Sequence, residues 1–159
     1  MSVLRYGLPL YCPLRLKPED PNCGSIHKIK TVFNDCLRLL TNRKRKDHVK
    51  IEDMLGELQW LSINQMCAET RLLEAWKTTN INDYCMQDIM KEKEKSNYMS
   101  TRSNDHHLFK TCPSDKFTNR SFAQRTAQIW NVAPKTIKEA RSLSSAKSAI
   151  RTFVKNLPI

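Results

Sequence analysis

Ser25-Ile26-His27-Lys28-Ile29-Lys30-Thr31-Val32-Phe33-Asn34-Asp35-Cys36-Leu37-Arg38-Leu39-Leu40 is the stretch that decides the fold class. Ile26, Ile29, Val32, Phe33, Cys36, Leu37 and Leu40 recur at spacings of three and four, the period of one helix face. His27, Lys28, Lys30, Asn34, Asp35 and Arg38 fall mainly on the other face. Ser25 offers a cap hydroxyl, and the pattern stops near Asn42. The reading is an amphipathic helix with a basic outer side, and it places Cys36 in the core.

Toward the C-terminus the same period returns. The run Arg43-Lys44-Arg45-Lys46-Asp47-His48-Val49-Lys50 reads as a charged linker, and Ile51, Met54, Leu55 and Leu58 predict a short helix after it. Glu52-Asp53 fits the negative first turn of that helix. Ser62-Ile63-Asn64-Gln65 matches a capping box, a hydroxyl at the cap with an amide three residues on. The helix it opens carries Ile63, Met66, Cys67, Leu72, Leu73 and Trp76, and Thr78-Thr79-Asn80 ends it. A weaker helix is predicted from about Asn82 to Lys95, with Tyr84, Met86, Ile89 and Met90 inward. Residues 96–118 are polar and unpatterned, which predicts a loop or disordered linker.

Phe122, Thr126, Ile129 and Trp130 predict a helix that ends before Pro134. The last helix turns Ala146, Ile150, Phe153, Val154 and Leu157 inward and sets Lys147, Arg151 and Lys155 in a stripe at i, i+4 and i+8. Toward the N-terminus, residues 1–24 hold four prolines and two glycines, so an extended arm is expected, Val3 to Tyr6 being its most strand-like part. The expected class is all-α: a small irregular array of helices made of an arm (1–24), a helical region (25–95), a polar linker (96–118) and a helical tail (119–159).

Composition narrows the chemistry. Three glycines, each isolated, cannot build a Walker loop, a dinucleotide fingerprint or a nucleophile elbow. Lys and Arg total 27 against 16 acids, a net charge of +11, which attracts polyanions, nucleic acid foremost. The six cysteines are irregularly spaced and are read as reduced thiols, with a nuclear or cytoplasmic setting expected. No run approaches the length of a membrane span, and no secretory leader is recognised, so no membrane partner is expected.

Two-metal phosphoryl transfer requires paired carboxylates, and the chain has no Asp-Asp. Cys23-x-x-x-His27 has zinc-ligand spacing but lacks a second pair. The deaminase pattern of His-x-Glu with Pro-Cys-x-x-Cys is absent. The expectation is no catalytic residue, no metal ligand and no cofactor. The positive features are Arg43, Lys44, Arg45, Lys46 and Lys50, with Lys147, Arg151 and Lys155 as a second patch; these would contact RNA or DNA through phosphates. The first run also reads as a solvated linker or as a nuclear targeting signal. Trp60, Trp76 and Trp130 lie within or beside apolar stripes, which favours core packing over base stacking.

In their order these motifs resemble the segment that follows the polymerase core in non-LTR, LINE-type retrotransposon reverse transcriptases. Val3-Leu4-Arg5-Tyr6-Gly7-Leu8-Pro9-Leu10-Tyr11 is similar to that family's stretch after the palm, and Leu37-Arg38-Leu39-Leu40-Thr41 to the end of its next helix. Leu58-Gln59-Trp60-Leu61-Ser62-Ile63 resembles its Leu-x-Trp-Leu element, and Thr101-Arg102-Ser103 a short polar marker. Phe122 to Arg125 with Trp130-Asn131, Pro134 and Ile137 resembles its near-terminal block, with Val132-Ala133 departing from the usual spacer. In the closing helix, Ala146-Lys147 stands where the family has Phe-Lys.

The resemblance implies a thumb-and-tail segment that grips template RNA and target DNA. The family's catalytic aspartates and endonuclease lie upstream of such a segment, so no polymerase residue is carried over, and the arm's expected partner is an absent palm. Two other readings stand beside it: a helical protein–protein module that docks a partner helix, and an open reading frame without selected function.

Overall fold

The computed structural model describes residues 24–82, 84–87, 90, 109 and 121–157. Six α-helices stand among the described residues: α1 (Gly24–Leu40), α2 (Ile51–Leu58), α3 (Ile63–Asn80), α4 (Phe122–Val132), α5 (Lys135–Lys138) and α6 (Leu143–Lys155). These residues contain no strand, so the class is all-α. The expected arm before Gly24 lies outside the described residues, as does the 96–118 linker except at Phe109. The chain divides into two compact units, residues 1–67 with 157–159 and residues 68–156, and the division falls inside α3.

In the first unit α1 begins at Gly24, so Ser25 sits within the helix rather than at its cap. Its end is a Schellman turn. Asn42 takes the left-handed conformation at φ 53°, the Asn42 N–H donates to the Leu39 carbonyl at 3.3 Å, and the Arg43 N–H reaches back to Arg38 at 2.8 Å. The same device closes α2. Gln59 is left-handed at φ 52°, its N–H donates to Gly56, and the Trp60 N–H donates to Leu55 at 2.9 Å. Glu52 and Asp53 occupy the first turn of α2, as read from the sequence.

α2 packs on α1, and the core of this unit gathers Phe33, Leu37, Met54, Leu55, Leu61, Ile63, Met66 and Cys67. The Phe33 and Trp60 rings lie 6.4 Å apart. The apolar arc of α1 is wider than the surface that covers it among the described residues. Val32 and Leu40 remain 65% and 58% exposed, and Cys36, expected in the core, is exposed. Gly56 is exposed within α2, and a methyl group there would meet nothing within 4 Å. Gly56→Ala should therefore raise stability by about 0.5–1 kcal/mol, because alanine loses less backbone entropy in a helix. A rise in the urea midpoint with an unchanged m-value would verify this.

α3 opens with the anticipated capping box. The Gln65 N–H donates to the Ser62 hydroxyl at 3.2 Å, and the Ser62 N–H donates to the Gln65 side-chain carbonyl at 3.0 Å. Its far end lies in the second unit, where the side chains of Thr78, Thr79 and Asn80 hydrogen-bond carbonyls one turn back. The Gln87 amide then donates to the carbonyls of Thr78 and Ile81 at 3.1 and 2.9 Å. A helix from about Asn82 was expected here. Residues 85–87 form a turn instead, because Gln87 folds back to cap α3, and Met90 is buried. The rest of that stretch lies outside the described residues.

The Tyr84 hydroxyl donates to the Glu74 carboxylate, whose other oxygen accepts from Lys77 at 2.9 Å. Burial, reinforced by the Glu74 carboxylate, raises the Tyr84 phenol well above its ordinary range. A raised folded value means that this contribution to stability is whole below about pH 10 and declines as pH climbs beyond it. Tyr84→Phe should flatten the alkaline fall in urea midpoint above about pH 10; an unaltered pH profile would contradict the pairing.

The second unit is centred on Trp130, which is fully buried beside Phe109 at 6.1 Å between ring centroids. Asn131 clamps the Phe109 backbone, accepting from its N–H at 3.0 Å and donating to its carbonyl at 3.1 Å. Phe109 thus belongs to the core, although its sequence surroundings read as a linker. The Trp76 indole N–H donates to the Ala140 carbonyl at 3.1 Å. Trp76 and Trp130 are core residues, and Trp60 is half-buried. α4 is capped by Ser121 and stops at Ala133, before Pro134. α5 is too short for its periodicity to register in the sequence, and it buries Ile137.

Candidate nucleic-acid interface

The eight cations expected to meet phosphate fall into two groups, one in each unit. Arg43, Lys44, Arg45, Lys46 and Lys50 lie between α1 and α2, and all five are exposed. The Schellman turn releases the chain at Arg43. A single 3-10 turn follows at Arg45–Asp47, where Asp47 accepts the Lys44 N–H at 2.7 Å.

This turn carries Arg45 back onto α1. Its Nη2 lies 2.8 and 3.0 Å from the two Asp35 oxygens, and Nε lies 3.3 Å from Oδ1. Asp35 also receives Arg38 at 3.4 Å. Arg45 was expected to contact phosphate, but its planar guanidinium fork matches a carboxylate ten residues away, which offsets its charge. Arg43, Lys44, Lys46 and Lys50 are the cations of this run that extend outward. The pair is exposed, so its worth to stability is small.

The second group is built more simply. Ser142 caps α6, its hydroxyl accepting from the Ser145 N–H at 3.2 Å. Ala146, Ile150 and Val154 are fully buried and fasten one face of the helix to the core. Lys147, Arg151 and Lys155 each follow one of these by a single residue, about 100° further round the axis, and all three are exposed. They recur about every 6 Å along the helix. Exposed Ser144 and Ser148 share that flank and add hydroxyl donors suited to phosphate oxygens. Lys155 also complements the negative end of the helix dipole.

Along the sequence, the stretch that holds α6 is one-sided in charge. Between Ser121 and Leu157 there are seven Lys and Arg, and Glu139 is the only acid. Lys138 is not part of the outward set. Its ammonium donates to the Asn131 carbonyl at 3.2 Å, and burial lowers its pKa from the ordinary lysine range. Of the features that sequence reasoning missed, the Asp35–Arg38 pair was legible as an i, i+3 spacing. The Asp35–Arg45 clasp and the place of Phe109 left no local signal.

Among the described residues no three His, Cys, Asp or Glu side chains gather where they could hold a metal ion. No helix among them is long and apolar enough to cross a membrane.

No family model matches the chain, and no solved structure matches it. Over 95 residues, 58% of the chain, it is 32% identical to zinc finger FYVE domain-containing protein 9 of Homo sapiens. That stretch spans 6% of the length of the human protein.

Proposed function

We propose that this chain is a non-catalytic segment from the C-terminal end of a LINE-type reverse transcriptase and that it holds RNA or DNA through the phosphate backbone. The observation that carries the reading is α6. One face is locked into the core by Ala146, Ile150 and Val154, and the neighbouring face offers Lys147, Arg151 and Lys155 with no carboxylate on the helix. A helix fixed in this way presents its cations without a large further ordering cost, so counterion release from the nucleic acid drives association. The order of motifs that resembles the retrotransposon segment supports the same role, as does the net charge of +11. The cations Arg43, Lys44, Lys46 and Lys50 form a second set of contacts, and Arg45 contributes less because Asp35 holds it.

The experiment is a salt titration of binding to single-stranded RNA and to duplex DNA of unrelated sequences. Lys147→Gln, Arg151→Gln and Lys155→Gln together should reduce the slope of log affinity against log salt by about 2–3, equally for each sequence. An unchanged slope removes α6 from the interface. Primer extension by the purified chain would overturn the non-catalytic reading.

A further inference from the structure

α1 carries a second apolar surface that the described residues leave open. Val32, Cys36, Leu39 and Leu40 stand at i, i+4, i+7 and i+8, and Leu39 is 82% exposed. They form a stripe about 12 Å long beside the buried pair Phe33 and Leu37. Exposed apolar residues scattered singly are ordinary, but a contiguous helical stripe marks a docking surface.

The charges around the stripe define the occupant. Exposed Lys28 lies one turn before Val32, and exposed Arg43, Lys44 and Lys46 follow Leu40. The only carboxylate on α1, Asp35, is already engaged by Arg38 and Arg45. We propose that this stripe docks an acidic amphipathic helix of a partner protein. Leucine-type side chains of the partner cover Val32, Cys36, Leu39 and Leu40, and carboxylates meet Lys28 at one end and, in competition with phosphate, Arg43, Lys44 and Lys46 at the other. A second copy of the chain is the wrong partner. Antiparallel pairing sets each Arg43–Lys46 cluster against the other copy's Lys28, and parallel pairing sets like clusters together, so both arrangements are repulsive.

The test uses the full chain and a labelled peptide of about eighteen residues, with leucines at i, i+3, i+4 and i+7 and glutamates on the flanks. Two controls keep the leucines but carry lysines, or scramble the acidic sequence. Fluorescence anisotropy should give saturable binding of the acidic peptide, with each control at least about tenfold weaker. Val32→Ser, Cys36→Ser and Leu39→Ser together should weaken binding about tenfold or more with helical content retained, since all three side chains are exposed. Replacing Lys147, Arg151 and Lys155 by Gln should leave binding within about twofold, which separates this surface from the α6 cations. Equal binding of the scrambled peptide, or no effect of the triple serine change, overturns the proposal. So does failure of the full chain to bind, or sedimentation as a dimer that the triple serine change dissociates.

Discussion

Trp130→Ala should cost the second unit about 3–5 kcal/mol, a large share of the total stability of a domain this size. The indole is fully buried, its ring meets Phe109 at 6.1 Å, and the next residue, Asn131, holds the Phe109 backbone by two hydrogen bonds. Truncation removes the largest fully buried side chain among the described residues and leaves a cavity that α4, fastened by buried Thr126 and Ile129 in the turn before it, cannot close. The loss should appear as a lower urea midpoint of the helical circular-dichroism signal with little change in m-value. Trp130→Phe should cost distinctly less, since most of the apolar contact is kept. A deficit below about 1 kcal/mol for the alanine variant would mean that Trp130 is not the centre of this core.

Leu37→Ala and Leu39→Ala should behave as opposites although they lie two residues apart. Leu37 is fully buried beside Phe33, so its truncation should cost about 2–5 kcal/mol. Leu39 is 82% exposed, and its truncation should stay within about 0.5 kcal/mol. The contrast is a direct measure of which part of the α1 arc is covered. Equal losses would place Leu39 in a core that the structure does not give it, and the docking surface inferred above would go with it.

The same pair of residues shows how far local pattern carries. Periodicity located α1 well but pointed Val32, Cys36 and Leu40 inward along with Phe33 and Leu37. Seven apolar positions span more of the helix circumference than one short neighbouring helix covers. The α6 surface was more legible. Its inward seam and outward cations have the same four-residue period, so a single helical phase assigns both, and Lys147, Arg151 and Lys155 lie on the exposed side as expected. The run from Arg43 to Lys50 was legible as charge but not as geometry. Nothing near Arg45 announces Asp35, ten residues earlier and beyond a helix end.

What the amino-acid sequence determined by itself was local: the extents of most helices to within a few residues, the Ser62–Gln65 box, the stop before Pro134, the buried seam of α6 and the basic balance of the whole chain. The charge balance is a matter of composition, and the others follow from interactions within four residues, where spacing alone sets who meets whom. What only the tertiary structure decided was the fate of side chains whose partners are distant in the chain. Arg45 is drawn to Asp35, Phe109 is brought beside Trp130, Gln87 returns to cap α3, and Val32, Cys36 and Leu40 of the α1 arc are left facing outward. Those outcomes depend on which surfaces remain after packing, a quantity that no window of sequence contains.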